Sequence, residues 1–254
     1  MLKKHEYPIM EFDTNKVAKL NPSNFAYTKF SSNKMIITFF PEVINQLLEE
    51  KAIQENFTIG GENPVYIYNF TDDPSVLITL GQVGCPACAG NLDLFNEFGV
   101  DKVMFCGGGG VLDKNIEVGQ LLVVDAAIRD EGFSYHYLEP SRLVYANEKL
   151  NDKICKSLEE RKINYLRGIV WTTDAIFRET VDKIEVRKEE GAKIVEMEQA
   201  GCLAVAQFRG FDYAAIIYGG DDVASDEWSN RDWRHRGGIR YNLVYLCKDL
   251  LNEI

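Results

Sequence analysis

The stretch from Lys193 to Asp222 constrains the fold of this sequence most, because it reads as a strand, a helix and a second strand. Its first apolar run ends at Glu196-Met197-Glu198, and the helix that follows carries small and apolar residues on one face. Gly210 closes this helix, as a glycine past a helix end commonly does. The second apolar run ends in two glycines and the pair Asp221-Asp222. We therefore expect two neighbouring parallel strands to present carboxylates at their C-terminal ends, where open α/β sheets bind ligands.

Glu198 and Asp221 are the candidate functional carboxylates of this stretch. A carboxylate accepts hydrogen bonds from two hydroxyl groups of a sugar or, when protonated, donates a proton to a leaving group. A structural interpretation is also open, since an acidic residue in a first helical turn is favoured by the helix dipole and an aspartate can cap a turn.

The rest of the chain predicts one α/β layered domain. Apolar runs typical of buried strands alternate with helical patterns, and no linker-like stretch separates them. The 254 residues, 46% of them hydrophobic, suffice for one large core. We predict a single domain over residues 1–254, in which the polar, turn-rich residues 1–34 form an N-terminal arm.

Charge and hydropathy narrow the class of partner. A net charge of −11 and a pI near 4.9 argue against nucleic acid and anionic membranes as partners. The N-terminus has no apolar signal-peptide core and no apolar run is long enough for a bilayer, so we expect a cytoplasmic protein. Cys85-Pro86-Ala87-Cys88 leaves a thiol redox protein as an alternative. No second cysteine pair completes a zinc site, and no metal is expected.

Four consecutive glycines, Gly107 to Gly110, follow a predicted buried strand at 102–106. Glycine lets the backbone approach a ligand closely, and successive N–H groups in a loop bind anions. The run lacks the spacing of a dinucleotide fingerprint or a P-loop. It therefore predicts either an anion-binding loop or merely a tight turn.

Four blocks of this sequence together resemble the nucleoside phosphorylase superfamily, which includes uridine phosphorylase, hexameric purine nucleoside phosphorylase and the methylthioadenosine/adenosylhomocysteine nucleosidases. The blocks are Gly84-Cys85-Pro86-Ala87, Cys106 to Leu112 with Val118-Gly119, Val195 to Glu198, and Gly219-Gly220-Asp221. The resemblance covers most of the chain from about residue 35. It implies a three-layer α/β/α sandwich with a mixed central sheet, phosphorylase/hydrolase-like.

The resemblance also assigns roles at the sugar and at the leaving group. Met197 and Glu198 contact the ribose, with Glu196 in the same substrate-binding block, and Glu198 accepts from the 2′- and 3′-hydroxyls. Asp221 is the catalytic acid that protonates or hydrogen-bonds the departing base. Ile176 and Phe177 fall at the positions that stack on the base.

Phosphate is implied as the co-substrate, without any cofactor. Gly107 and Gly108 would face it, Arg129 is a further candidate, and Arg178 would contact the base or an anion. The implied reaction cleaves the N-glycosidic bond of a purine or pyrimidine nucleoside and yields free base and ribose 1-phosphate. The resemblance also implies a homo-oligomer, a dimer or a hexamer, and the short loop after Phe177 favours purines.

The departures from the family pattern concern the phosphate contacts. Phe39-Phe40-Pro41-Glu42 stands where these enzymes carry a glycine-aspartate-proline block followed by an arginine. Met104 replaces a second arginine, and Gly107 replaces a hydroxyl residue. Two alternatives therefore stay open: a nucleosidase that uses water, and a nucleoside-binding homologue with impaired catalysis.

Overall fold

A computed structural model describes residues 2–26 and 28–254, in which strands and helices alternate along the chain. The strands are β1 (Lys34–Thr38), β2 (Ile53–Ile59), β3 (Val65–Phe70), β4 (Val76–Leu80), β5 (Lys102–Val111), β6 (Leu121–Asp130), β7 (Leu143–Tyr145), β8 (Tyr165–Thr173), β9 (Ala192–Glu196) and β10 (Asp212–Asp222). The α-helices are α1 (Pro41–Glu49), α2 (Cys85–Glu97), α3 (Glu148–Glu160), α4 (Val181–Glu189), α5 (Gln199–Arg209) and α6 (Gly237–Glu253).

The strands form one mixed sheet in which β5 is the central strand. Strands β10, β6, β8, β9 and β5 close into a ring, because β5 pairs with β9 on one side and with β10 along the other. Strands β1, β4, β3 and β2 extend the sheet outward from β5. The predicted mixed central sheet is confirmed, and the ring is a feature that the sequence pattern did not show.

Helices cover both faces of the sheet, as the layered prediction required. Apolar residues of α2 and α5 pack into one core cluster, and those of α1, α3 and α6 pack into another. The C-terminal end of α5 is the predicted one, since Gly210 has φ +80° and ends the helix in the left-handed conformation. Within the described residues, none of the helices is long and apolar enough to cross a bilayer.

Two local expectations were wrong, and one strand was missed. The glycine run is not a loop: Gly107 to Gly110 continue β5, and the first three pair with β10. Strands β9 and β10 are not parallel neighbours, because β5 lies between them and runs antiparallel to β9. Strand β2 was not predicted, since its outer face is polar and it lies at the end of the sheet order, paired only with β3.

The chain before β1 lies largely on the surface. Two short 3₁₀ helices, Pro8–Met10 and Pro22–Asn24, contain no buried residue. Lys16 Nζ donates to the carbonyl of Phe208 at 2.9 Å, which holds this segment against α5. The single-domain boundaries and the role of the arm stay predictions.

Candidate active site

Glu196 ends β9 and fixes the start of α5. Its Oε2 accepts from the backbone N–H groups of Glu198 at 2.6 Å and Gln199 at 2.8 Å, and the Thr172 hydroxyl donates to Oε1. This buried carboxyl group therefore pairs with N–H donors at a helix N-terminus that have no partner within the helix. Both of its oxygens have protein donors, so a direct contact of Glu196 with substrate stays a prediction without geometric support.

Glu198 links α5 to the start of α2. Its side chain is buried, and Oε1 accepts from the backbone N–H of Gly84 at 2.8 Å. Burial raises the pKa of Glu198 to about 7, and burial together with the charge of Glu198 raises the pKa of Glu196 to about 8. The two carboxyls thus retain protons near neutral pH that exposed glutamates would have lost. The preceding residue, Met197, accepts from the Cys85 thiol at 3.3 Å through its carbonyl.

The glycine run leaves room for strand β9 and for the ring of Trp233 against β5. A Cβ on Gly109 would lie 2.5 Å from Cγ2 of Ile194 and 2.5 Å from the carbonyl oxygen of Val195, so only a glycine allows β9 to approach this closely. On the other side, a Cβ on Gly108 would lie 2.7 Å from the Trp233 ring. The run therefore has a packing reason, and phosphate binding by Gly107 and Gly108 stays a prediction.

Asp221 lies at the end of β10 and engages a different partner from its neighbour. Its Oδ2 accepts from Nε1 of Trp228 at 2.7 Å. Asp222 instead holds the following turn, accepting from the backbone of Ala224 at 2.8 Å and from the hydroxyl of Ser225 at 2.8 Å. The two adjacent aspartates therefore do not act as one pair.

The charge of Asp221 affects the pKa of a different acidic residue, Glu179, which sequence reasoning did not single out. Burial, followed by the charge of Asp221, raises the pKa of Glu179 to about 7. The sequence signal was a carboxyl two residues after Phe177. The approach of Glu179 to Asp221 of β10 is a tertiary contact.

The predicted base-stacking residues lie on a short 3₁₀ helix after β8 and are exposed. Phe177 is 95% exposed and Ile176 is 54% exposed, and Arg178 on the same turn is exposed as well. A phenylalanine so open to solvent is available to a ligand or to another chain. Stacking on a base therefore stays a prediction for this turn.

Arg129 is buried and holds the segment that follows β6. Nε donates to the Ser134 hydroxyl at 2.8 Å, and Nη1 donates to the carbonyl of Glu139 and the hydroxyl of Ser141, each at 2.7 Å. The guanidinium also lies 4.2 Å from the centre of the Tyr135 ring. The guanidinium of Arg129 is therefore hydrogen-bonded within the loop that follows β6. This geometry gives no support to Arg129 as a phosphate ligand.

The strands that lead to the two candidate carboxylates pair with β5 on opposite sides. Strand β9 is antiparallel to β5 and pairs Val195 with Gly110, and Glu198 follows two residues after the strand ends. Strand β10 is parallel to β5 and pairs Asp222 with Val111. The glycine stretch of β5 therefore lies between these two strands, and the roles of Glu198 and Asp221 stay predictions.

The cysteines of the C-x-x-C motif do not form a reactive pair. Cys85 and Cys88 are both buried, and burial raises the pKa of Cys85 well above its usual range. Cys88 Sγ lies 3.7 Å from Sγ of Cys202, across the contact between α2 and α5. Redox thiols need a lowered pKa and access to solvent, so this geometry speaks against the redox alternative.

No group of three or more His, Cys, Asp or Glu side chains within residues 2–26 and 28–254 converges in a way that could hold a metal ion.

Comparison with known proteins places these residues in a family context. A family profile described as "Phosphorylase superfamily" matches residues 34–237. Guanosine phosphorylase of Halorubrum lacusprofundi is 24% identical over 145 residues, which are 57% of this chain and 60% of that protein. The chain thus matches less than two thirds of the length of this relative.

Two solved structures share the fold. Purine nucleoside phosphorylase of Toxoplasma gondii in complex with immucillin-H has a TM-score of 0.71 at 18% identity, covering 88% of this chain and 93% of that one. Futalosine hydrolase of Helicobacter pylori has a TM-score of 0.70 at 21% identity, covering 88% of this chain and 98% of that one.

Proposed function

The chain belongs to the phosphorylase superfamily, and we propose on that premise that it is an enzyme that cleaves the N-glycosidic bond of a nucleoside. The observation that supports the proposal is that Glu198 and Asp221 belong to strand ends on opposite sides of the glycine stretch of β5. In the proposed complex the sugar binds beside Glu198 and the base beside Asp221. Purine nucleosides are the first substrates to test.

The chemistry follows from the charges that develop when the bond breaks. Positive charge builds on C1′ of the sugar, and a carboxylate held close to the ribose stabilises it. Glu198 accepts from the ribose hydroxyls while its second bond to Gly84 fixes its position. Negative charge builds on the base, which Asp221 and the partly protonated Glu179 meet as hydrogen-bond donors or acids.

Two molecules are candidates for the acceptor of the ribosyl group, namely phosphate and water. The name of the halobacterial relative implies phosphate as acceptor, with ribose 1-phosphate as product. The name of the Helicobacter neighbour implies water. Phosphate is the acceptor that the sequence blocks imply. Water is the second candidate, because Phe39-Phe40-Pro41-Glu42 and Met104 stand where the family pattern has phosphate-binding arginines.

A panel of nucleosides incubated with the purified protein, with free base as the readout, tests the proposal. Glu198→Gln removes the negative charge at nearly constant shape, and we expect kcat/KM to fall by about 100-fold through the loss of charge-assisted hydrogen bonds to ribose. The wild-type preference for ribonucleosides over 2′-deoxyribonucleosides should shrink in the same variant. Glu185→Gln, an exposed glutamate on α4, is the matched control.

Two outcomes would contradict this assignment. Base release from no nucleoside of the panel would remove the proposed function. Equal activity of Glu198→Gln and wild type would leave cleavage in place and remove Glu198 from the ribose. We also propose that the chain forms a homo-oligomer, which light scattering on the purified protein tests directly.

A further inference from the structure

A hairpin after β10 brings an indole ring onto the candidate acid. Asp222 and Ser229 form an isolated antiparallel bridge, in which the N–H of Asp222 donates to the Ser229 carbonyl at 2.8 Å and the N–H of Ser229 donates back at 3.0 Å. The chain therefore leaves the strand at Asp222 and returns beside it. Trp228, the residue before Ser229, comes back next to Asp221, and its Nε1 donates to Oδ2 of Asp221 at 2.7 Å.

The second aspartate of the pair holds this hairpin closed. Oδ1 of Asp222 accepts from the backbone N–H groups of Ala224 at 2.8 Å and Ser225 at 3.2 Å, and Oδ2 accepts from the Ser225 hydroxyl at 2.8 Å. An aspartate that bonds the backbone a few residues onward stabilises a turn. The backbone bridge and this turn together set the position of Trp228, so the two adjacent aspartates have separate roles.

The apolar core does not explain the position of Trp228. Its side chain is 63% exposed, whereas Trp171 is fully buried and donates to Asp130 at 3.0 Å. A buried indole N–H needs a protein partner, but an exposed one can bond water instead. The N–H of Trp228 therefore has no need of a protein acceptor, and its bond to Asp221 calls for a different reason.

The bond from Trp228 decides which oxygen of Asp221 is available. An indole N–H can only donate, so Oδ2 of Asp221 acts as an acceptor. A proton on this carboxyl group is favoured on Oδ1, because a proton on Oδ2 would face the indole hydrogen. Within residues 2–26 and 28–254, the structure shows no donor to Oδ1. Oδ1 is therefore the atom that can exchange a hydrogen bond or a proton with a ligand.

A second carboxyl group near Asp221 makes a fixed orientation useful. Burial, followed by the charge of Asp221, raises the pKa of Glu179 to about 7. Neighbouring carboxyl groups tend to share one proton, which would hold it between them. A donor on Oδ2 opposes rotation of the Asp221 carboxyl toward such a pair.

We propose that Trp228 is a positioning residue, whose indole N–H orients the Asp221 carboxyl group so that Oδ1 faces the leaving base. This inference rests on the proposed cleavage of the N-glycosidic bond. The C1′–N bond breaks, its electron pair stays with the base, and the proton on Oδ1 passes to the base. The acceptor forms the new bond to C1′ and releases the proton that restores the carboxyl group.

The hydrogen bond itself is tested without turnover. The full chain is labelled with ¹⁵N at its three tryptophans, and the indole signals are recorded by NMR. The signal that disappears in Trp228→Phe belongs to Trp228. We expect Asp221→Ala to move this signal upfield and to speed its exchange with water, because an exposed indole N–H then loses its acceptor. An unchanged signal would overturn the inference, whether or not any nucleoside is cleaved.

The role in the reaction is tested by steady-state kinetics on a nucleoside that the protein cleaves. Trp228→Phe keeps an aromatic ring and removes the donor. We expect kcat to fall by about 10-fold, as for the loss of one hydrogen bond to a carboxyl group, and KM to stay within about 2-fold of wild type. Tyr145→Phe, which removes the hydroxyl of an exposed ring on β7, is the control and should keep both constants.

A double-mutant cycle separates positioning from direct contact with the base. Because Trp228 acts through Asp221, Trp228→Phe should cause no further loss of kcat in the Asp221→Ala background. A further loss there, or a rise in KM alone in the single variant, would assign the ring to stacking on the base and overturn the inference. A rise in kcat/KM would show that the indole masks Asp221, which would overturn it as well. A panel of inert nucleosides beside an intact Trp228 signal would instead remove the proposed function, and with it this role of Trp228.

Discussion

Replacing Glu196 with glutamine tests whether the two buried carboxyls at the end of β9 make the stability of this protein depend on pH. Glu196 and Glu198 are both buried, and no cationic group is among the causes that shift their pKa values. The substitution removes one of the two titrating groups and keeps nearly the same volume. It also leaves an amide oxygen that can accept from the backbone at the start of α5.

The direction and the size of this pH dependence of stability follow from the pKa shifts of the two glutamates. The ordinary pKa of 4.5 rises to about 8 for Glu196 and to about 7 for Glu198. The folded protein therefore holds protons that the unfolded chain has released, and the free energy of unfolding falls as the pH rises from about 4.5 to about 8. Taking only the smaller rise, since the two groups share one charge, the loss is on the order of 3 kcal/mol.

Urea unfolding followed by circular dichroism at several pH values within this window measures the effect. At the acid end, Glu196→Gln should be about 1 kcal/mol less stable than wild type, because the hydrogen bond that the Thr172 hydroxyl donates to Oε1 is lost. Toward the alkaline end, the difference should shrink or reverse, since the variant has no charge to bury at this position. Glu185→Gln should follow the wild-type curve in parallel. If the Glu196→Gln and wild-type curves also run parallel, the buried pair does not titrate as argued.

Three further changes probe the site and its scaffold. Glu179→Gln should lower kcat by about 100-fold and abolish the loss of activity above about pH 7 that a proton-donating carboxyl imposes, and a pH–rate profile unchanged from wild type would contradict this. Gly109→Ala should destabilise the protein by about 1–3 kcal/mol in urea unfolding, because the new methyl group meets the Val195 carbonyl. Gly90→Ala in α2, where a Cβ has open space, should instead be neutral or stabilising by up to about 1 kcal/mol, and equal effects of the two alanines would refute the steric reasoning.

Local patterns were sufficient to predict the elements that bury an apolar face within one segment of chain. The helix that Gly210 closes is one example. It follows from periodicity and from a glycine at the helix end, which act over a few positions. The acid at the end of β10 was placed by the same reasoning, because a polar residue after a buried strand lies at the edge of the sheet.

The parts that could not be predicted depend on contacts between distant segments. Four glycines favour a turn by local preference, yet they continue β5, where they pair with β10 and where Gly109 lets β9 approach closely. Tertiary packing overrides intrinsic strand preference in such cases. Glu196 and Glu198 are alternate residues of one motif, and only the coordinates show that Glu196 caps α5 while Glu198 reaches across to Gly84.

The closure of the sheet also decides where neighbouring molecules could add a strand. Strand β10 pairs with β5 along most of its length and with β6 at residues 216–218, so this largely buried strand is not a free border of the sheet. The long border that remains is β2, where Gln54, Glu55 and Asn56 face solvent. Charged and polar side chains on such a border discourage intermolecular β-pairing. The glycines that allow the ring to close therefore also protect a protein rich in buried strands from aggregation.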